Sequence, residues 1–330
     1  MRRLISTLLL LSTLLCLMAG CTPRGDKNPE RVKIRVGYMA GPTGMGMAKL
    51  IEDNGGLDGK SDRYTFTKYA DTNAAKADLA AGKIDIICLP TNEAAAYREK
   101  IDPTASILAI NCLNSLYYLS ADDGDPITLK DLEGQTIYTC KNGTPRIILE
   151  YILREAGVNA SLSYTVDGKD ILTPQDLSAQ LIAGNIPNAV MPEPLVTSSI
   201  LKAKSDGGII LSVRIDLGDE WNAVCDTPLT MGCVVADGDF LRDNKTLVDE
   251  FLTEYKDSVE YISNPENVDS AADYVVKSGV MTAAPAAKMA LTNLGNSISY
   301  MDGNDMKIAL ISFYSAMGIS LPEDEFYYAK

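Results

Sequence analysis

Histidine is missing from this sequence altogether. Without it there is no Ser-His-Asp triad, no Cys-His dyad and no His-ligated metal. Most hydrolase chemistry is therefore removed, and neither a metal nor a cofactor is expected. Positive charge is scarce too: 30 Lys and Arg face 44 Asp and Glu, for a formal net charge of −14. So acidic a chain is repelled by phosphate backbones, which excludes nucleic acid, and by anionic membrane surfaces. Paired cysteines are lacking. Beyond Cys16 and Cys21 there are five, Cys88, Cys112, Cys140, Cys225 and Cys233, with no CxxC spacing. Cys88, Cys112 and Cys233 lie in apolar, strand-like runs and are expected to be buried and free. A Cys140–Cys225 bridge stays open, because sequence does not supply its geometry.

The one long apolar run is at the start. Arg2 and Arg3 precede Leu4 to Leu17, and small residues follow before Cys21. Basic, apolar and small segments in that order make a secretory signal peptide over 1–20, and the run is short of the roughly 20 residues that a spanning helix needs. Leu17-Met18-Ala19-Gly20-Cys21 resembles the bacterial lipobox, which implies cleavage before Cys21 and acylation of its sulfur. Residues 21–31 then read as a lipidated flexible tether, placing the chain on the outer face of the cell membrane by its lipid alone.

From Val32 onward strand and helix signals alternate. KIRVGY, YTFTKY and IDIICL are strand-like, with helical stretches at 45–53, 73–81 and 92–99 between and after them. Alternation of this kind predicts α/β lobes, each a mostly parallel sheet flanked by helices. The order then returns 102 residues later. Gly41, Gly55, Ala81, Gly82, Ile84 and Pro90 reappear as Gly143, Gly157, Ala183, Gly184, Ile186 and Pro192. An equal displacement along so long a segment predicts two lobes of one topology. The boundaries expected are 32–120 plus 229–330 for lobe one and 121–228 for lobe two, with chain crossings near Ser120 and Asp226 acting as a hinge. PLTMGCVVA is a further strand, and the sequence from Asp239 is helical and is expected to cover lobe one.

Ligands of open α/β sheets sit beyond the carboxyl ends of the strands, near helix N-termini. The candidates there are Gly41, Pro42, Thr43 and Gly44 in lobe one and Asn142, Gly143 and Thr144 in lobe two. Glycine admits close backbone approach, and helix-start N–H groups favour an oxyanion or carbonyl oxygen. Thr43 and Thr144 have the alternative of only capping their helices. Thr91 and Asn92 stand opposite Glu193 in the repeat; the first two offer a hydroxyl and an amide, and Glu193 can accept an amine or ring N–H. Glu193 can also simply complement a helix dipole. Asn114 and Ser115 interrupt an apolar stretch near the first crossing. Tyr38 and Met39 are candidates for an apolar wall or for core, Arg146 for an anion partner or an exposed side chain, and Asp226 and Thr227 are weaker candidates at the second crossing.

GPTG opening a first helix, DLAAGKIDIICLPTN, LKDLEGQTIY and the MPEP turn together resemble substrate-binding proteins of ABC importers. The likeness is greatest to the nitrate/sulfonate/taurine group and its thiamine-precursor-binding relatives, and covers about Val32 to about Tyr314. The resemblance implies a two-lobed type II periplasmic-binding-protein fold. It further implies a monomer that captures a small-molecule solute between its lobes by hinge closure, without catalysis, and delivers it to an ABC permease and its ATPase. Taurine-like sulfonates and a thiamine-type pyrimidine both suit the candidate residues. Relatives that synthesise the pyrimidine consume their own histidine, so that activity is excluded. Two alternatives remain: a surface lipoprotein enzyme using Glu193 and Cys140, and a ligand-loaded partner of a membrane sensor.

Overall fold

The computed structural model describes residues 32–58, 61–141 and 143–329. The expected signal peptide, Cys21 and the tether to residue 31 lie outside the described residues, as does Asn142.

The first half follows the sequence pattern closely. β1 (Ile34–Met39), β2 (Tyr64–Tyr69), β3 (Ile86–Pro90) and β4 (Ser106–Leu113) alternate with helices α1 (Pro42–Met45), α2 (Ala48–Asp53), α3 (Thr72–Ala80) and α4 (Thr91–Lys100). The stretch 45–53, expected as one helix, is broken at Gly46-Met47. A Cβ added to Gly46 would lie 2.9 Å from Val259 Cγ2, so the chain is pressed against a helix from far along the sequence. α3 starts where the Asp71 carboxylate accepts the Ala74 N–H at 2.9 Å, an N-cap that satisfies one orphan donor.

The second half repeats the order. β5 (Leu116–Ser120) leads to β6 (Thr136–Tyr138), α5 (Thr144–Glu155), β7 (Ser161–Ser163) and the short hairpin β8 (Thr165–Val166) and β9 (Lys169–Asp170). α6 (Pro174–Ile182), β10 (Asn188–Pro192), α7 (Leu195–Asp206), β11 (Ser212–Asp216) and α8 (Leu217–Cys225) complete it. The tail is β12 (Thr230–Ala236), α9 (Gly238–Asp243), α10 (Lys245–Ser263), α11 (Val268–Lys277), α12 (Ala284–Leu294), β13 (Ile298–Met301) and α13 (Gly303–Ala316). β13 is a strand in a tail expected to be helical; it pairs antiparallel with β4 at the edge of the large sheet.

The strands form a six-stranded sheet ordered β2-β1-β3-β12-β4-β13 and a three-stranded sheet ordered β10-β5-β11. β1 is parallel to β2 and β3, whereas β12 is antiparallel to both its neighbours. In the small sheet β5 is likewise antiparallel to β10 and β11. The small sheet therefore contains one reversed strand, β5, and the large sheet two, β12 and the edge strand β13; β5 and β12 are contributed where the chain passes between the sheets. The chain leaves the large sheet for the small one at Asn114-Ser115, between β4 and β5, and returns between Cys225 and Thr230.

A side chain extends the small sheet. β6 pairs with β7 in parallel, and Asn188 of β10 joins this pair by accepting the Tyr138 N–H and donating to the Thr136 carbonyl, both at 3.0 Å. The resulting order β7-β6-β10-β5-β11 mirrors β2-β1-β3-β12-β4. In lobe one Asp85 plays a similar part, its N–H on Arg35 O at 2.7 Å and its carboxylate accepting Arg35 N at 2.8 Å.

Apolar side chains fill both faces. α2, α10, α11 and α12 cover one face of the large sheet through Leu50, Phe251, Val275 and Leu291, while α6 and α7 cover the small sheet through Leu181 and Val196. A third cluster runs from Ile87 and Val235 through Trp221 to Ile148 and thus joins the lobes. Trp221 is fully buried between Tyr151 of lobe two and Phe313 of the tail, with ring centroids 5.2 and 5.9 Å away.

Candidate functional site

The ends of β1, β3, β5 and β10 meet around a cavity of about 350 Å³. From lobe one come Met39, Ala40, Gly41, Pro42, Thr43, Pro90, Asn92 and Cys112, with Met231 from β12. Ser115 at the crossing joins Thr144, Pro145, Pro174, Gln175, Pro192, Glu193, Pro194 and Leu195 from lobe two. The two walls are close: a Cβ on Gly41 would stand 3.8 Å from Pro194 Cδ.

The repeat becomes geometric here. Gly41 caps α1 with φ 115° and ψ −168°, and Gly143 caps α5 with φ 114° and ψ 167°. Positive φ with extended ψ is a region essentially reserved for glycine, which accounts for that residue at both places. Because the caps are these glycines and neither helix has a side-chain cap bond, Thr43 and Thr144 do not serve as caps. Both line the cavity instead.

Among the residues singled out from sequence, the cavity brings together Gly41, Pro42, Thr43, Asn92, Ser115, Thr144 and Glu193. Four described candidates fall elsewhere. Gly44 is buried against β1, where an added Cβ would sit 2.0 Å from the Met39 carbonyl oxygen. Thr91 is buried at the start of α4; its carbonyl accepts the Tyr314 hydroxyl at 3.0 Å. Asn114, at φ 44°, turns its side chain to the return crossing: Oδ1 accepts Leu229 N at 2.9 Å, and Asn114 N donates to Leu229 O at 2.9 Å. It ties the two crossings together. Gly143 shapes the loop while its neighbours Thr144 and Pro145 face the cavity.

Tyr38 is core, its hydroxyl on Ser278 O at 2.7 Å, whereas Met39 lines the cavity. Arg146 pairs with Glu150 at 2.6 Å and does not reach the cleft. Thr227 bonds Ser312, away from it. Sequence reasoning missed five of the six lining prolines, Gln175, Leu195, Cys112 and Met231. The prolines had a signal, since Pro90, Pro192 and Pro194 close or follow strands and Pro145 and Pro174 open helices. Nothing local marks Met231 or Gln175.

Glu193 is the one acid of the lining. Its N–H donates to Ser115 O at 3.1 Å, and Thr197 gives its N–H to Oε2 at 3.1 Å and its hydroxyl to Oε1 at 2.8 Å. The carboxyl thus does complement the first turn of α7 as well as lining the cavity. It is only 3% exposed, and no Lys or Arg is paired with it among the described residues. Burial raises its pKa above the ordinary carboxylate range, although the bonds from Thr197 oppose this. No basic and no aromatic side chain is among the lining residues.

The five cysteines among the described residues are all free, so Cys140 and Cys225 do not pair. Cys88, Cys112 and Cys233 are buried, as their runs predict. Burial pushes the Cys140 thiol up to about 11, which keeps it protonated and a poor nucleophile at neutral pH. Among the described residues there is no cluster of three metal-ligating side chains.

Comparison with known proteins agrees with this architecture. The family model described as NMT1/THI5 like matches residues 63–268. The chain belongs to the NMT1/THI5-like family. No curated protein matches its sequence. Among solved structures this family member is similar to an ABC transporter protein from Parabacteroides distasonis, with 19% identity over 90% of this chain and 99% of that one and a TM-score of 0.67. It is similar to the periplasmic aliphatic sulphonate binding protein SsuA from Escherichia coli, with 18% identity, 91% and 92% coverage and a TM-score of 0.66. The periplasmic nitrate-binding protein NrtA from Synechocystis is a further neighbour, with 13% identity, 84% and 75% coverage and a TM-score of 0.58. At these identities the likeness is one of fold: the two-lobed type II periplasmic-binding-protein arrangement expected from the resemblance.

Proposed function

We propose that this protein is the extracytoplasmic solute-binding component of an ABC importer, capturing a small polar organic molecule between its lobes. One observation carries the reading: both lobes end their strands on one cavity whose single acid, Glu193, is buried without a counterion. A buried carboxylate needs donors or a cation, and here a bound solute would complete its set. Thr43, Asn92, Ser115, Thr144 and Gln175 supply further polar groups, and the prolines and methionines give an apolar wall. An amine or ring N–H on Glu193, with an oxygen-bearing group near Thr43 and Thr144, suits a taurine-like sulfonate or a thiamine-type pyrimidine.

Capture would close the lobes about Asn114-Ser115 and the Cys225–Thr230 return, because a solute touching both walls favours the closed form. The protein would act as a monomer, tethered through Cys21 to the outer face of the cell membrane and delivering to a permease and its ATPase. No helix among the described residues is long and apolar enough to cross a membrane itself. An enzymatic role through Cys140 is disfavoured by the raised thiol pKa and by the absence of Cys140 from the cavity lining.

Native mass spectrometry of the purified protein is expected to find a small retained solute. Thermal-shift screening of sulfonates, amino acids and pyrimidines then tests its class. A stabilising solute should lose its effect in Glu193→Gln and keep it in Arg146→Ala. Stabilisation unchanged in Glu193→Gln would remove this cleft from the reading.

A further inference from the structure

Thr197 has no exposed surface, yet its hydroxyl lies between two side chains from different lobes. Asn293 Nδ2 donates to Thr197 Oγ1 at 2.9 Å, and Thr197 Oγ1 donates to Glu193 Oε1 at 2.8 Å. Glu193 and Thr197 belong to lobe two, and α7 packs in the small-sheet core. Asn293 is on α12, whose Leu291 and Leu294 pack in the core of the large sheet. The contact therefore crosses from one lobe to the other, next to the cavity.

A hydroxyl has a single proton, and an amide nitrogen can only donate. With Asn293 occupying a lone pair of Thr197, the threonine proton is left for Glu193 Oε1. Together with the Thr197 N–H on Oε2, both carboxyl oxygens are held as acceptors, each with lone-pair capacity left for a donor in the cavity. Removing or inverting the amide frees that proton to turn away, and oxygen would then face oxygen at a buried site.

We infer that Asn293 is a positioning residue of the cleft: from the opposite lobe it fixes Thr197 so that Glu193 presents acceptors to the solute, and it fastens α12 to α7 when the lobes are together. The inference rests on the cleft being a solute site. It explains how the presence of an N–H donor on Glu193 would be felt at the lobe interface, on a helix far away in sequence.

The test uses solute-free protein, so that it fails separately from the solute-binding reading, which native mass spectrometry addresses. Asn293 is exposed, so its variants should fold. Hydrogen exchange should show the Thr197 amide losing protection by about tenfold in Asn293→Ala and Asn293→Asp, as a displaced hydrogen bond predicts. Small-angle scattering of the same variants should show a larger radius of gyration than the wild type. Glu193→Gln alone should also lose protection, because its amide nitrogen and that of Asn293 would both donate to the Thr197 oxygen and leave the buried Thr197 proton without an acceptor. The pair Glu193→Gln with Asn293→Asp reverses the two bonds of the Thr197 hydroxyl, giving its proton an acceptor while the Thr197 N–H still donates to the remaining side-chain oxygen, and should restore it. Unchanged exchange and scattering in Asn293→Ala, or a double variant as unprotected as Glu193→Gln, would overturn the assignment.

Discussion

At the scale of single residues, Glu193 has the clearest consequences. Its pKa is raised chiefly by burial, so the folded state keeps its proton to higher pH than the unfolded chain does. The unfolded state therefore holds fewer protons between the ordinary carboxylate pKa and the raised one, and stability falls as pH rises through that interval. A neutral amide in its place, as in Glu193→Gln, would carry no such penalty. Thermal melts of solute-free wild type and Glu193→Gln should show a difference that shifts in favour of the variant as pH rises through this window and then levels off. A difference independent of pH would mean that the acid is not held in this way. Ser115 and Thr144 are distinguished from Asn114 and Gly143 at the same scale. Asn114 turns its side chain to the return crossing and Gly143 has none to offer, so the neighbour in each pair lines the cavity.

At the scale of elements, both lobes use a buried polar side chain beside the first strand. Asp85 receives the Arg35 N–H and guanidinium, and Asn188 fills the gap between β6 and β10. Removing either leaves main-chain groups without partners, each costing about 1–3 kcal/mol. Urea unfolding should find Asp85→Ala and Asn188→Ala each less stable by about 2–3 kcal/mol. The half-exposed Arg35 limits the salt-bridge part of the first effect. Asn188→Ala should in addition loosen β6 and β7, seen as faster amide exchange over 136–138 and 161–163 than over β10. The loops that shape the cavity follow those strands, so solute affinity should fall with it.

At the scale of the molecule, the lobes are joined by two short crossings and by the Trp221 cluster. The crossings are bonded to each other through Asn114 and Leu229, and Trp221 leans on Tyr151 from one lobe and Phe313 from the tail. In the closure proposed above, this indole would be the pivot. Scattering of the wild type should show compaction when the retained solute is present relative to protein stripped of it; equal curves would count against hinge closure. Trp221→Ala would leave a large cavity at this pivot and should lower stability by about 3–5 kcal/mol, measured by denaturant unfolding. It should do so without altering the Thr197 amide protection expected of the Asn293 contact.

Much of this was legible in the chain itself. Alternating strand and helix signals, the return of Gly41 and Pro90 as Gly143 and Pro192, and the missing histidine follow from local preference and composition, so order of elements, doubled topology and excluded chemistries need no coordinates. Even the cavity's place beyond the strand ends comes from that order. What folding alone decided is which strand-end residues face inward. Asn114 went to the crossing, Gly44 to a helix packed on its own strand, and five unforeseen prolines to the wall. The direction of a side chain in a loop is set by whatever packs behind it, and here that comes from segments far away in sequence. Thr197 and Asn293 are the extreme case: nothing near either residue encodes the other, and only the meeting of two lobes brings them to 2.9 Å.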